Sequence, residues 1–283
     1  MLVLEPMFHK TIWGGNRLDS VYGKKAEGLG HLYSVRAKKG ERSNIILNGK
    51  YAGRTLYEVA GEYPLSIALV DAASDLSIQV HPGDVAENKH ESYYFIQAPS
   101  ASYIYCGLCG IPAEGLRAAC ESGSVLPHIG QLPVKAGDYA YIGPGLVHAL
   151  TAGSFVYEIE QGADKTYRLF DYNRKGDDGK PRCLHLEQAL AVLNTATSPK
   201  RQVYQVGTEI GERTYATKLL GGLTAFENEG TEAVCITLLS GEAVLDGVTL
   251  KTGMSVVVEP KERLSGFYME KCMAAKNLDR GKK

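Results

Sequence analysis

A short segment of alternating polar and apolar residues, Leu76–Pro82, carries side chains that could bind a metal ion. Successive side chains of an extended strand point to opposite faces, so Ser77, Gln79 and His81 would share one face. A polar row is poorly suited to a dry core, because every buried polar group needs a partner. The Gln amide oxygen and a His ring nitrogen can both bind a metal ion at neutral pH without losing a proton. The segment therefore predicts one side of a metal site.

Two later segments supply further ligand candidates. In the run Lys89–Phe95 the same alternation places Glu91 on one face with Lys89, and a predicted strand and glycine turn precede His148. All seven histidines lie in the first 185 residues, so a histidine-based site belongs to that part of the chain. The combined donors, two nitrogens and two oxygens, suit Zn²⁺ and also Mn²⁺, Fe²⁺ or Co²⁺: Gln79, His81, Glu91 and His148. The alternative is that these four are unrelated surface or core residues.

Short runs rich in β-branched and aromatic residues recur between glycine turns and predict the strands that would hold this site. They are Ser43–Leu47, Leu76–Val80, Tyr93–Gln97, Tyr139–Ile142, Ser154–Glu160, Ala233–Leu239 and Met254–Glu259. Helical patterns are few, and the candidates are Thr55–Glu62, Ala113–Glu121 and His185–Leu193. Together these patterns predict an all-β fold with a few helices, built from antiparallel sandwiches or barrels.

A polar segment divides the chain into two predicted units. Asn194–Gln202 has no apolar periodicity and is the best candidate for a linker. The strands beyond it repeat features of the first half, which suggests a distant internal duplication. We therefore expect two β units, residues 1–198 with the metal site and residues 199–283 without histidine.

Charge and hydropathy limit the partners and the location. The 283 residues carry 31 Lys and Arg against 32 Asp and Glu, with a pI near 6.7, which favours neither nucleic acid nor an anionic membrane. No window approaches the ~18 consecutive apolar residues that span a bilayer. Glu5, Pro6 and His9 interrupt the N-terminal stretch that a signal peptide would need. We expect a cytoplasmic protein with a small-molecule ligand, as a monomer or a weak homodimer.

Several motifs of the chain resemble those of the type I mannose-6-phosphate isomerases, which are enzymes of the cupin superfamily. They are Gln79–Pro82, Lys89–Tyr94, Gly137–His148, Glu158–Arg174, Leu184–Ala189 and the N-terminal Pro6 with Thr11–Gly15. The resemblance covers essentially the whole chain. The resemblance implies two jelly-roll β-barrels with the metal site in the first, because a second cupin unit without histidine is usual for the short bacterial form of this family.

The resemblance implies a zinc-dependent reaction between mannose 6-phosphate and fructose 6-phosphate through an enediol. It implies one zinc ion per chain, held by Gln79, His81, Glu91 and His148. It implies catalytic roles for Arg168, Lys89 and Asp164, and substrate-binding roles for Ser77, Arg174 and Trp13. A zinc ion and an arginine would stabilise the negative charge of the enediol, whereas the proton could be moved by Lys89 or by water on the metal.

Some of these residues have simpler alternative roles, and the chain departs from the family pattern around the site. Asp164 could form a loop salt bridge with Arg168, and Trp13 could anchor the N-terminal arm. The spacing from His81 to Glu91 is ten residues, which is shorter than usual in the family. The alternative function is a non-catalytic or regulatory protein that binds a sugar or sugar phosphate. An Fe²⁺ dioxygenase is a weaker third hypothesis.

Overall fold

A computed structural model of the chain describes residues 1–83, 88–176 and 178–278. Strands dominate these ranges. The strands of the first part are β1 (Leu2–Leu4), β2 (Met7–Gly15), β3 (Leu29–Val35), β4 (Leu65–Asp71), β5 (Ile78–Val80), β6 (Lys89–Gln97), β7 (Tyr103–Leu108), β8 (Ile129–Pro133), β9 (Asp138–Ile142), β10 (His148–Ala149), β11 (Phe155–Gly162) and β12 (Tyr167–Phe170). Those of the second part are β13 (Lys200–Val203), β14 (Glu209–Gly211), β15 (Tyr215–Glu227), β16 (Val234–Ser240), β17 (Glu242–Leu245), β18 (Val248–Lys251), β19 (Ser255–Val258) and β20 (Arg263–Asn277).

The helices are short and lie between the strands. The α-helices are α1 (Asp19–Tyr22), α2 (Leu56–Ala60), α3 (Ala113–Ser122) and α4 (Leu186–Val192), and single 3₁₀ turns cover Gly23–Ala26, Gly49–Tyr51 and Leu126–His128. Helix α2 begins with a reciprocal capping box, in which Thr55 accepts from the Glu58 amide and Glu58 accepts from the Thr55 amide. Among the described residues, no helix is both long enough and apolar enough to cross a lipid bilayer.

A seven-stranded antiparallel sheet, in the order β13-β9-β6-β11-β4-β3-β2, lies at the centre of the fold. Every residue of β4 is buried, because apolar clusters cover both faces of this strand. Ile67 and Leu69 enter one cluster, whereas Ala68 and Val70 enter the other. A continuous apolar run of this length is typical of a strand that is covered on both sides.

A five-stranded sheet, in the order β12-β5-β10-β7-β8, lies over one face of the central sheet. Ile78 and Val80 of β5 share an apolar cluster with Leu116 of α3 and Ala189 of α4, so helices cover one face of this strand. Because side chains alternate along a strand, Gln79 takes the opposite face. The polar row of the sequence therefore points toward the central sheet.

The third sheet, in the order β1-β19-β16-β20-β15-β14, packs on the other face of the central sheet. Two strands cross the boundary predicted at residue 198: β1 pairs with β19, and β13 pairs with β9. The division into residues 1–198 and 199–283 stays a prediction, and residues 279–283 of its second unit lie outside the described ranges.

The predicted fold class, all-β with a few helices, is confirmed, and the three predicted helices are present as α2, α3 and α4. The strand predicted at Ser43–Leu47 is wrong, because this segment forms only isolated bridges. Ile46 pairs with Leu4 and Ile45 with Thr55, so consecutive residues bond to different neighbours and no ladder forms.

Candidate metal centre

Two imidazoles and an amide meet where β5 and β10 pair. His148 lies directly opposite Gln79 in the antiparallel register, and the His148 Nε2 and Gln79 Nε2 atoms are 3.5 Å apart. His81 follows β5 immediately, and its ring centroid lies 4.8 Å from that of His148. Both histidines are almost fully buried. Strand pairing therefore brings His148 beside Gln79, which lies 69 positions earlier in the chain, and beside the nearby His81.

Glu91 reaches the same point from β6 of the central sheet. Its Oε2 atom lies 2.6 Å from His81 Nε2 and 3.9 Å from His148 Nε2, and the candidate ligand atoms of these three residues lie within 4.8 Å of one another. His81 Nε2 and Glu91 Oε2 are both buried and, in spite of the short distance between them, neither forms a hydrogen bond of regular geometry with a described residue. Unpaired buried polar atoms are costly, so this arrangement suits a divalent cation placed between them.

The other ring nitrogens fix the tautomer of both histidines. His81 Nδ1 lies 2.9 Å from the Lys165 carbonyl oxygen, and His148 Nδ1 lies 2.9 Å from the Leu146 carbonyl oxygen. A carbonyl oxygen can only accept, so each Nδ1 carries the hydrogen and donates it. Each Nε2 lone pair is then free to bind a metal ion, which is the usual arrangement of metal-ligating histidines.

Gln79 and Ser77 lie beside this group, but the amide oxygen of Gln79 is turned away from it. The Ser77 hydroxyl donates to Gln79 Oε1 at 3.2 Å, so the amide nitrogen faces His148. An amide binds a metal ion through its oxygen, and ligation by Gln79 would require rotation of this amide by about 180°. The contacts of Ser77 orient Gln79, and its predicted role in substrate binding stays a prediction.

Lys89 is buried beside Glu91 and differs from a typical general base. It forms an ion pair with Glu160, and its Nζ atom lies 3.7 Å from Glu91 Oε2. Burial alone would lower the pKa of Lys89, but Glu160, Glu91 and Glu158 outweigh burial and raise that pKa. Lys89 is therefore cationic at neutral pH, where it can stabilise negative charge or donate a proton.

Glu158 and Glu160 of β11 belong to the site, although the sequence analysis assigned them no role. The register of β11 with β6 places Glu160 opposite Glu91 and Glu158 opposite Tyr93. Burial, then Glu160 and Glu91, raise the pKa of Glu158 well above its usual range. Alternation along Ser154–Glu160 already puts both carboxyls on one face. Their proximity to Lys89 could not be predicted from the sequence, because it depends on the pairing of β11 with β6.

The predicted catalytic residues Arg168 and Asp164 do not pair with each other. Arg168 of β12 lies opposite Gln79 in the register, and its Nε atom donates to the Cys183 carbonyl oxygen at 3.1 Å. Asp164 forms its ion pair with Arg36 instead, so the alternative of a salt bridge with Arg168 is wrong. Among the described residues, no carboxylate lies within 4.0 Å of the Arg168 guanidinium. Within the described part of the chain, Arg168 thus forms no ion pair with a carboxylate, and its strand pairing with Gln79 places it at one edge of the site.

The predicted substrate-binding residues Arg174 and Trp13 both have structural contacts. Arg174 pairs with Asp171 at 2.5 Å and donates to the Asp75 carbonyl oxygen. Trp13 is buried and packs edge-on against His31, with ring centroids 5.1 Å apart. These contacts resemble anchoring more than an open substrate surface, and the two substrate-binding roles stay predictions.

His148 predicts a pH dependence of folding stability. Burial, together with His81, lowers the pKa of His148 from its usual 6.5 to about 4. The unfolded chain therefore takes up this proton at a higher pH than the folded protein. The contribution of neutral, buried His148 to the free energy of unfolding is therefore fully present above about pH 6.5 and is lost as the pH falls toward 4.

Urea unfolding of metal-free protein measures this contribution. Between pH 6.5 and 4, the free energy of unfolding should fall by up to ~3 kcal/mol less in His148→Gln than in the wild type. His128→Gln is the control, and equal pH slopes in wild type and His148→Gln would contradict the prediction.

Comparison with curated proteins finds isomerases. No protein-family model matches the chain. The chain is 33% identical over 214 residues to the probable mannose-6-phosphate isomerase GmuF of Bacillus subtilis, with 68% of each chain covered. It is 34% identical over 213 residues to the mannose-6-phosphate isomerase of Streptococcus mutans, covering 68% of this chain and 67% of the relative. A third relative, ManA of Bacillus subtilis, is 33% identical over 71% of this chain and 70% of its own length.

Solved structures share the fold at lower sequence identity. The mannose 6-phosphate isomerase of Bacillus subtilis superimposes with a TM-score of 0.79 at 24% identity, over 98% of this chain and 99% of that one. A putative mannosephosphate isomerase from Archaeoglobus fulgidus gives a TM-score of 0.74 at 15% identity, over 98% of both chains. A zinc-bound mannose 6-phosphate isomerase superimposes with a TM-score of 0.63 at 14% identity, over 98% of this chain and 99% of that one.

Proposed function

Because the chain belongs to the mannose-6-phosphate isomerase family of enzymes, we propose that it interconverts mannose 6-phosphate and fructose 6-phosphate with one zinc ion. The observation that carries this proposal is the convergence of His81, Glu91 and His148, whose ligand atoms lie within 4.8 Å of one another. Both imidazoles direct Nε2 to this point, because each Nδ1 donates to a backbone carbonyl oxygen. We assign the fourth ligand position to Gln79 after rotation of its amide.

The reaction moves a proton between C1 and C2 of the sugar through an enediol, whose oxygens gain negative charge. A bound zinc ion would supply Lewis-acid polarisation of these oxygens. Lys89, kept cationic by three carboxyl groups, adds a second positive charge on the same face of β6 as Glu91. Its role in this proposal is to stabilise the charge or to donate a proton, since it holds its own proton at neutral pH.

Arg168 binds an anionic part of the substrate, either the phosphate or the enediolate. Its guanidinium stays charged at neutral pH although burial and Arg182 lower its pKa. A partly buried cation that forms no ion pair with any described carboxylate favours an anionic ligand, and planar guanidinium matches phosphate oxygens in a bidentate geometry. Arg174 is a poorer candidate, because Asp171 already compensates its charge.

A coupled assay that follows fructose 6-phosphate production from mannose 6-phosphate tests the proposed function. We expect turnover by zinc-loaded protein, loss of turnover after treatment with a chelator, and recovery when zinc is restored. If fully metallated protein binds mannose 6-phosphate without turnover, the isomerase proposal is wrong and the sugar-phosphate binding protein takes its place.

A further inference from the structure

The loop of residues 163–166, between β11 and β12, carries the group that orients His81. The imidazole donates from Nδ1 to the Lys165 carbonyl oxygen at 2.9 Å, and Thr166 Oγ1 lies 3.5 Å from the same nitrogen. These contacts select the tautomer that presents Nε2 to Glu91. The position of this loop therefore sets the direction of one proposed metal ligand.

An ion pair to the central sheet ties this loop in place. Asp164, which precedes Lys165, pairs with Nη2 of Arg36 just after β3. The Arg36 side chain is itself well fixed. It is 8% exposed, its Nη1 donates to Ser66 Oγ at 3.2 Å, and its guanidinium lies 4.9 Å from the centre of the Tyr33 ring. Arg36 can thus act as a rigid anchor for a loop that has no regular secondary structure.

We propose that Arg36 is a positioning residue for the metal site, acting through Asp164 and the Lys165 carbonyl on the His81 imidazole. The inference rests on the proposed function of His81 as a metal ligand. It gives Asp164 a role as a loop anchor, which differs from the catalytic role implied by the family resemblance. Mutation of a group that hydrogen-bonds the second ring nitrogen of a ligating histidine typically weakens metal binding by about 10–100-fold.

Glu41 offers a matched control for this chain of contacts. The carboxylates of Glu41 and Asp164 both accept from Nη2 of Arg36, Glu41 also accepts from Nε, and both side chains are 40% exposed. Only Asp164 belongs to the loop that holds His81. Loss of a charge-assisted bond to Arg36 is therefore common to Asp164→Asn and Glu41→Gln, whereas release of the loop is specific to Asp164→Asn.

Two measurements on the full chain test the proposal. The first is the Nδ1–H proton signal of His81 in NMR spectra of metal-free, ¹⁵N-labelled protein. The second is the Zn²⁺ dissociation constant from competition with a chelator. We expect Asp164→Asn to broaden or shift the His81 signal and to weaken Zn²⁺ binding about tenfold, while Glu41→Gln leaves both unchanged. Equal behaviour of the two variants would overturn the positioning role.

A double variant separates action through Asp164 from a general loss of stability. If Arg36 acts through Asp164, Zn²⁺ binding by Arg36→Gln combined with Asp164→Asn should be no weaker than by Arg36→Gln alone. If the two substitutions weaken Zn²⁺ binding independently, so that the fold-changes of the single variants multiply in the double variant, the inference is refuted. The two proposals also fail differently. A wild-type protein without zinc binding overturns the proposed function, whereas the His81 signal of metal-free protein still decides whether Asp164 orients the ring.

Discussion

Turnover of mannose 6-phosphate should fall at least about 10³-fold in Glu91→Gln, on the order of 4 kcal/mol in the activation barrier. Lys89, His81 and His148 hold the pKa of Glu91 well below its usual range in spite of burial, so this side chain is the carboxylate of the proposed site. Gln keeps the size of the side chain but removes its charge. We therefore expect loss of bound zinc together with activity, measured by the coupled assay and by metal analysis of the purified protein.

Glu160→Gln is the matched control for this variant. Glu160 lies opposite Glu91 on β11 and pairs with Lys89, and among the described residues the ion pairs to His81 and His148 come from Glu91 and not from Glu160. We expect the Glu160→Gln protein to retain stoichiometric zinc. Retention of both zinc and full turnover by Glu91→Gln would remove Glu91 from the metal site.

Arg168→Ala should lower turnover about 10²–10³-fold while zinc content stays unchanged. The physical reason is that Arg168 is the cation that would meet the charge of the substrate. Its side chain donates to the Cys183 carbonyl oxygen, and it meets the proposed ligand Gln79 through the pairing of β12 with β5. Arg168→Lys should restore only part of the activity, because an ammonium group lacks the planar, bidentate geometry of guanidinium. Steady-state kinetics and metal analysis measure both quantities.

Arg117→Ala provides an arginine control on the surface of α3, where Arg117 pairs with Glu187. It should leave turnover unchanged. Loss of zinc from Arg168→Ala would instead give Arg168 a structural role in holding β12 against β5.

Local alternation in the sequence accounts for much of the candidate site. The period of two along Leu76–Pro82 and Lys89–Phe95 correctly gives the faces of His81 and Glu91, because a buried strand has only two faces to offer. The strands around them follow from β-branched runs between glycines. The fold class and the helices α2, α3 and α4 could be predicted in the same way.

The features that sequence analysis missed depend on contacts between distant residues. The pairing of Asp164 with Arg36 joins residues 128 positions apart, and no local pattern indicates it. The raised pKa of Lys89 depends on Glu160 and Glu158 of the neighbouring strand β11 as well as on Glu91 of its own strand. The orientation of the Gln79 amide depends on one hydroxyl, Ser77, whose rotation no sequence pattern defines.

A crystal structure of zinc-soaked protein, with anomalous diffraction recorded at the zinc edge, tests the central claim most directly. We predict one strong peak about 2.0–2.2 Å from His81 Nε2, His148 Nε2, a Glu91 carboxylate oxygen and the Gln79 amide oxygen. A peak bound by other residues, or the lack of any peak between these side chains at full zinc loading, would contradict the account.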